Sequence, residues 1–252
     1  MSRIFITGDT HMPIDIHKLS SHNFLQGKEL TKDDYVIVLG DFGLIWNYKE
    51  TGKNVKLNPS DMCWSNDELY WLKWLEEKPW TTLFIDGNHE NFDRLNTYPV
   101  IDWHGGKIHQ ISNSILHLMR GQVFTINHYT FFTFGGAQSH DRGNYTGTEN
   151  EDRGKIWWDA ELTNQEEIEE AFTNLSKYNF QVDYILTHCL PVEMITRLGF
   201  NGYDRTSSFL GEVKYKTTYK EWYCGHYHTD KSIGEHTTVM YQNVKEVKDE
   251  ET

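Results

Sequence analysis

The sequence has 252 residues with 37 acidic and 24 basic side chains, so its formal net charge is −13. Hydrophobic residues make up 38% of the chain and aromatic residues 14%, enough for a buried core, which excludes a disordered or fibrous chain. Binding to nucleic acid or to an anionic membrane is disfavoured because both need surface lysine and arginine.

Four short, nearly continuous apolar runs predict strands that are buried on both faces. They are Arg3–Thr7, Tyr35–Leu39, Thr81–Ile85 and Val182–Thr187. Helical patterns lie between these strands, so the order of elements predicts parallel pairing with crossovers.

Two capping boxes predict where the helices begin. The first is Ser65 to Glu68, with Trp64 and Leu69 spaced for a hydrophobic staple, and Pro79 marks the end of that helix. The second is Thr163 to Glu166. The helix after it is expected to bury one face, formed by Ile168, Ala171, Phe172 and Leu175.

The middle of the chain predicts a meander of antiparallel hairpins. Its strands are Ile108–Ile111, Ile115–Met119, Val123–Ile126 and Tyr129–Phe134, separated by short turn sequences. We expect one domain over residues 1–244 and a charged tail over residues 245–252.

Polar residues follow the predicted strands, and a further set follows Trp222-Tyr223-Cys224. They are Asp9, His11, Asp41, Asn88, His89, Glu90, His188, His226 and His228. Because groups beyond the carboxyl ends of parallel strands line one crevice, we expect residues from distant parts of the chain to meet there.

Carboxylate, carboxamide and imidazole groups without thiolates favour Mn²⁺, with Fe or Zn²⁺ as alternatives. Seven such ligands are too many for one tetrahedral ion and suit two divalent ions that share a carboxylate. Two ions about 3.5–4 Å apart are suited to in-line displacement at phosphorus.

Five sequence blocks together resemble the calcineurin-like metallophosphoesterase family. They are Gly8-Asp9-Thr10-His11, Gly40-Asp41, Gly87-Asn88-His89-Glu90, Thr187-His188 and Gly225-His226-Tyr227-His228. The resemblance implies a four-layer α/β/β/α sandwich of two mixed sheets flanked by helices, with a dinuclear metal site at one sheet edge.

The resemblance also implies a role for each site residue. Asp9, His11 and His228 would bind the first metal, Asn88, His188 and His226 the second, and Asp41 would bridge them. A metal-bridging hydroxide would attack a phosphomonoester or phosphodiester in line. His89 would stabilise charge or protonate the leaving oxygen, and Glu90 would hold a neighbouring histidine.

This sequence departs from the family pattern at Leu44, where an acid is frequent, and at Asp86, where proline is frequent. Arg142 and Arg153 are candidate substrate contacts, ahead of Arg94 and Arg120, because arginine binds phosphate through two hydrogen bonds. The insertions at residues 44–59 and 197–219 are candidate specificity elements.

The remaining candidates have ordinary interpretations. Cys189 and Cys224 are expected to be buried thiols, and Trp46, Trp157 and Trp158 line either the cleft or the core. His140 is the least certain of the other histidines. Three cysteines without a Cys-x-x-Cys pair, and an N-terminus unlike a signal peptide, predict a cytoplasmic protein.

Two alternatives to a small-molecule phosphoesterase remain open. One is a noncatalytic, metal-binding scaffold with the same fold, which would need neither His89 nor a complete ligand set. The other is a nuclease, which the net charge disfavours. The expected partner is a small phosphorylated substrate, without a membrane or nucleic acid.

Overall fold

A computed structural model describes residues 2–46, 65–142 and 153–248. Within these residues the chain forms two mixed sheets. The first has seven strands: β1 (Ile4–Thr7), β2 (Tyr35–Leu39), β3 (Thr81–Ile85), β4 (Val100–Trp103), β5 (Gly106–Gln110), β6 (Ile115–Leu118) and β13 (Val244–Glu246). The second has six: β7 (Gln122–Ile126), β8 (Tyr129–Phe134), β9 (Tyr184–Thr187), β10 (Glu221–Cys224), β11 (Lys231–Gly234) and β12 (Thr237–Val239).

The helices lie between these strands along the chain. They are α1 (Asn66–Glu76), α2 (Phe92–Leu95), α3 (Gln165–Lys177), α4 (Val192–Arg197) and α5 (Arg205–Lys216), with 3₁₀ turns at Ile16–Leu19, Leu25–Glu29 and Asp159–Glu161. In the described part of the chain, no helix combines the length and the apolar character that a membrane crossing requires.

Parallel pairing dominates the centre of each sheet. The first sheet has the order β13-β1-β2-β3-β6-β5-β4, with β1, β2, β3 and β6 parallel. The second has the order β11-β12-β10-β9-β8-β7, with β8, β9, β10 and β12 parallel. The predicted runs at β2, β3 and β8 match the observed bounds, whereas β1 and β9 begin later, at Ile4 and Tyr184.

Three apolar layers show that the two sheets stack face to face with helices outside. Between the sheets, Ile37 and Leu83 belong to the same buried cluster as Phe131 and Leu186. Leu75 of α1 packs on the outer face of the first sheet. On the second sheet, α3 and α5 bury residues that include Ala171, Leu175, Phe209 and Leu210. This is the predicted four-layer α/β/β/α architecture.

The predicted meander is correct for two hairpins and wrong between them. β5 pairs with β6 and β7 pairs with β8, both antiparallel, but β6 and β7 belong to different sheets. Both edges of β6 are occupied, by β3 and β5, so β7 has no edge there to pair with. The chain crosses at Arg120-Gly121 and starts the second sheet instead.

The second capping box lies one residue later than predicted. The Asn164 side chain accepts a hydrogen bond from Glu167 N, and the Glu167 carboxylate accepts one from Asn164 N. Thr163 is buried, with its own N–H donated to Thr206 Oγ1. Asparagine caps as well as threonine, so the helix begins at Gln165. The first box, Ser65 with Glu68, is confirmed, whereas Trp64 of the proposed staple lies outside the described residues.

The chain stays in the sheet beyond residue 245, where the sequence analysis began the charged tail. β13 pairs antiparallel with β1, Lys245 opposite Ile6, and Val247 is buried. Arg3 donates to Glu246 across this pair. Charge alone was a poor guide here because an edge strand exposes alternate side chains to water.

The register of the second capping box can be tested by substitution. We expect Asn164→Ala to lower the free energy of unfolding by about 1 kcal/mol, since it removes a cap from α3. Denaturant unfolding followed by circular dichroism measures this change. Glu166→Ala is the matched control and should be neutral, whereas a larger loss for Glu166→Ala would place the box where the sequence analysis put it.

Candidate metal centre

The polar residues after five parallel strands meet at one edge of the sandwich. Asp9 follows β1, Asp41 follows β2 and Asn88 follows β3, while His188 and His226 follow β9 and β10. Each strand ends in a short turn that directs the next side chain inward. The predicted convergence of distant loops is therefore what the fold produces.

Four of these side chains stand on backbone in the left-handed region. The φ angles are 33° at His11, 44° at Asp41, 69° at His226 and 46° at His228. This conformation is uncommon for residues other than glycine and costs roughly 1–3 kcal/mol for each residue. Such strain, repeated at one site, is typical of a functional centre that the surrounding sheets hold in place.

Two groups of side chains share Asp41. One contains Asp9, His11, Asp41 and His228, and the other contains Asp41, His188 and His226, with the candidate ligand atoms of each group within 4.8 Å of one another. Asn88 joins the second group, since its Oδ1 lies 3.1 Å from His188 Nε2. The membership of the groups corresponds to the predicted ligand sets, and the ligand roles stay a prediction.

Close backbone approach fixes the two carboxylates. Asp41 Oδ1 accepts from the N–H groups of Asn88 and His89, at 2.8 Å each. A Cβ at Gly87 would lie 2.0 Å from the same oxygen, so only glycine fits there. In the same way Asp9 Oδ1 accepts from His226 N, and a Cβ at Gly225 would lie 2.3 Å from it.

The histidine at the centre, His188, directs its Nε2 atom toward the other candidate ligands. Only the Nδ1–H group of His188 can donate to the Leu39 carbonyl, 2.8 Å away, because a carbonyl oxygen only accepts. Its Nε2 then faces two oxygens, Asn88 Oδ1 at 3.1 Å and Asp41 Oδ1 at 3.3 Å. A cation among these three atoms, or a second proton on the ring, is needed to make the contact favourable.

A second observation points to a cation. Asp9 Oδ2 is buried and has no hydrogen-bond partner, although His228 Nε2 lies 3.1 Å away. The two atoms approach without the angles of a hydrogen bond, as two ligands of one ion do. An unpaired buried carboxylate oxygen is costly, so these residues fit a divalent metal that accepts oxygen and nitrogen ligands.

The electrostatics of the site call for positive charge. Burial opposes ionisation of Asp41, but His188 and His11 beside it hold the pKa of its carboxyl well below the usual range. Burial likewise opposes protonation of His188, yet Asp41 and Asp9 raise its pKa to about 10. The buried carboxylates thus stay ionised and attract either protons or metal ions to the histidines around them.

Sequence reasoning missed two residues that support the first group. Asp15 Oδ2 lies 2.9 Å from His11 Nδ1, and its Oδ1 accepts from the Tyr241 hydroxyl. The Tyr241 ring stacks on His228, with the ring centroids 4.8 Å apart. A carboxylate on the outer nitrogen of a ligand histidine fixes its orientation and tautomer. The position of Asp15, four residues after His11, is the feature of the sequence that could have predicted this contact.

Asp86, one of the two departures from the family pattern, supports the loop that follows β3 and carries Asn88 and His89. Its carboxylate is buried and accepts from Arg120 Nε at 2.8 Å, while His117 Nε2 lies 3.1 Å away. Arg120 and His117 outweigh the effect of burial and keep the pKa of Asp86 well below its usual range. Arg120 is therefore a buried structural partner of Asp86 rather than a phosphate contact.

The other candidate contacts have carboxylate or backbone partners within the fold, and their roles toward a substrate or a histidine stay predictions. Glu90 Oε1 accepts from Phe42 N at 2.7 Å, and burial raises its pKa to about 8. Arg142 and Arg153 both pair with Asp159, outside the two metal groups. Arg94 is buried against Glu68. Each arginine found a carboxylate within the fold, and nothing in an isolated sequence identifies that partner.

The structure also gives the positions of the remaining histidine, cysteine and leucine candidates. His89 lies at its opening with 37% of the side chain exposed, and its Nδ1 is 3.8 Å from Asp141 Oδ2. His140 stacks at 6.4 Å on His226, nearer the centre than the sequence suggested. Cys189 and Cys224 are buried thiols, as predicted. Leu44, where the family often has an acid, is buried in the core.

The three tryptophan candidates pack beside the site or in the core. Trp157 and Trp158 are buried, and Trp158 packs edge-on against Trp46 with the ring centroids 5.4 Å apart. Trp157 and Trp158 therefore belong to the packing beside the site, whereas Trp46 also lines a cavity with His11 and His89. Residues 47–59 of the first proposed insertion lie outside the described residues.

The support for His11 can be tested by metal binding. We expect Asp15→Ala to weaken Mn²⁺ binding at one of two sites by about tenfold or more, since His11 loses its orienting carboxylate. Titration calorimetry and metal analysis of the purified protein measure affinity and stoichiometry. The exposed Asp33→Ala is the control, and unchanged two-site binding in Asp15→Ala would contradict the role of Asp15.

The contribution of the buried Asp86–Arg120 pair to stability can be tested by substitution. We expect Asp86→Asn to lower the free energy of unfolding by about 3 kcal/mol, because it leaves the Arg120 charge buried without its main partner. The control is Asp159→Asn, whose carboxylate pairs with Arg153 at the surface and should contribute less than about 1 kcal/mol. Equal losses in the two variants would argue against a special role for the buried pair.

The family model for calcineurin-like phosphoesterases matches residues 2–230, nearly the whole chain. No curated protein sequence matches the chain significantly.

Proposed function

Since this chain belongs to the calcineurin-like phosphoesterase family, we propose that it is a metal-dependent hydrolase of phosphomonoesters or phosphodiesters. One observation carries the proposal. Seven side chains from five separate loops, the two groups that share Asp41 together with Asn88, converge on one point. A divalent metal at this position would balance the charge of the two buried carboxylates and use the lone pairs of the surrounding histidines.

We assign Asp9, His11 and His228 to one divalent ion, Asn88, His188 and His226 to a second, and Asp41 to both. The ligand set favours Mn²⁺, with Fe or Zn²⁺ as alternatives. When bound, two such ions supply a nucleophile from water and polarise the phosphoryl group. The chain itself contributes ligand orientation, through the Leu39 carbonyl on His188 and Asp15 on His11.

The charge balance supports a phosphate ester as substrate. Two divalent ions bring a charge of about +4, and the carboxylates of Asp9 and Asp41 return about −2, so the centre stays positive within an acidic protein. The local field therefore attracts an anion that the protein as a whole repels.

We assign His89 to the leaving group. Its backbone N–H is held by Asp41 Oδ1, which fixes the position of the residue, while the partly exposed ring stands at the opening of the site. From there it can donate a proton to the departing alkoxide or stabilise charge on the phosphoryl oxygens. Asp141, near its Nδ1, is placed to orient the ring.

A noncatalytic scaffold explains these features less well. Such a protein has no use for a complete ligand set or for an exposed histidine beside it, and both are present here. A small phosphorylated substrate remains the proposed partner, with nucleic acid disfavoured by net charge, and a cytoplasmic location remains a prediction from cysteine content.

The proposal is tested with bis(4-nitrophenyl) phosphate and 4-nitrophenyl phosphate as chromogenic substrates. We expect Mn²⁺ to restore hydrolysis after treatment with a chelator. His89→Ala should retain metal but lose about 100-fold or more in kcat, the usual contribution of a proton donor. Asp41→Asn should lose both bound metal and activity, because it removes the shared ligand.

The exposed His22→Ala is the matched control for His89→Ala and should keep full activity. Metal content of every variant, measured on the same preparations, separates lost ligands from lost catalysis. Hydrolysis that needs no metal, or that survives both His89→Ala and Asp41→Asn, would refute the proposed function.

A further inference from the structure

A cavity of about 640 Å³ extends away from the metal centre. Its volume falls within the roughly 300–1,000 Å³ of small-molecule sites. At one end Asp41, Asn88, His226 and His228 line it, together with His89. The ester group of a substrate held at the metal centre would therefore enter this space.

Aromatic rings connect the metal ligands to the far wall of this cavity. Tyr227 lies in sequence between His226 and His228, and its ring packs edge-on against His226 at 5.0 Å. Its hydroxyl accepts from Leu190 N, which holds the ring in place. Phe200 packs on Tyr227 at 5.4 Å, and Tyr203 follows on the same cavity-lining loop. The wall is continuous with the catalytic site.

The two outer rings are unusually open to water. Phe200 is 47% exposed and Tyr203 is 76% exposed, although both line the cavity. Large rings at the edge of a site, rather than in the core, are available for stacking on a ligand. They also lie within the 197–219 segment that the sequence analysis named as a specificity element.

The charges of the cavity limit what can bind there. None of the described residues that line it is a lysine or an arginine, so beyond the metal centre no lining cation is present for a second phosphate. The carboxylate of Asp204 is committed to backbone, since its oxygens accept from Ser207 N and Gln138 N. The cavity therefore suits an uncharged group.

The polar part of the lining suits the edge of a heterocycle. Gln138 and Asn201 bring amide side chains to the cavity, and Ser139 and His140 lie beside them. Asp204 ties the Gln138 backbone to the start of α5, so the two walls are joined. Stacking rings with a few convergent polar groups are the usual means of binding a nucleobase.

We propose that this cavity binds the alcohol part of the substrate as a flat, uncharged ring of nucleobase size, stacked on Phe200 and Tyr203. The substrate class is then a nucleoside phosphoester with a single phosphate at the metal centre. This inference rests on the proposed function, because the phosphate end of the ligand is assigned to the metal ions.

The test compares two probes that differ only in the base. Titration calorimetry of the Mn²⁺-loaded full chain, with His89→Ala present in every protein compared so that the probes are hydrolysed too slowly to disturb the measurement, gives dissociation constants for adenosine 5′-monophosphate and for ribose 5-phosphate. We expect the nucleotide to bind about tenfold more tightly or better, as base stacking on aromatic side chains provides. In Phe200→Ala combined with Tyr203→Ala, the ratio of the two constants should fall towards one.

Two further variants serve as controls for the loss of the rings. Phe200→Tyr retains a ring and should keep the preference for the nucleotide. Tyr215→Ala removes a tyrosine of α5 that is 90% exposed and outside the cavity lining, and it should leave the ratio unchanged. Equal affinity for the two probes when both rings are present, or an unchanged ratio in the double variant, would overturn the proposal.

The outcomes also separate this inference from the proposed function. A chain that hydrolyses the nitrophenyl esters but does not distinguish the two probes is a phosphoesterase without a base pocket. A chain that prefers the nucleotide but hydrolyses neither nitrophenyl ester has the pocket without the proposed activity.

Discussion

The carboxylate of Asp41 is the group around which the site is organised. It is buried, and its charge must be balanced inside the protein, since burial without compensation is costly. The N–H groups of Asn88 and His89 satisfy one oxygen, and His11 lies 3.2 Å from the other. Loops after β2 and β3, and the histidines beyond them, are placed by this single negative charge.

The cost of this arrangement is met by the sheets. His11, Asp41, His226 and His228 hold uncommon backbone conformations, which a marginally stable loop could not maintain. Each follows a strand buried in a stacked pair of sheets, and buried pairs such as Asp86 with Arg120 brace the loops from behind. The rigid packing of the sheets holds the strained loops in place, and together they preorganise the site.

The site also divides into parts with different demands. The side that carries the candidate metal ligands uses charged and imidazole groups fixed by backbone contacts, such as Gly87 against Asp41. The wall formed by Tyr227, Phe200 and Tyr203 is apolar, outward and carried by a loop. The proposed chemistry at phosphorus would need the first part to be invariant in geometry, whereas the proposed choice of substrate could be altered through the second part alone, as function on loops commonly is.

The sequence by itself determined the buried parallel strands and the residues that meet at Asp41, because strand periodicity and short motifs are local signals, while the resemblance to a family implied the layer architecture. Only the tertiary structure decided that β6 and β7 part into different sheets, since that depends on which edge of β6 is free. It also decided that Asp15 supports His11, that Glu90 holds Phe42 N, and that Arg142 and Arg153 pair with Asp159. Partners of long polar side chains depend on distances between elements, and a sequence read locally contains no such distances.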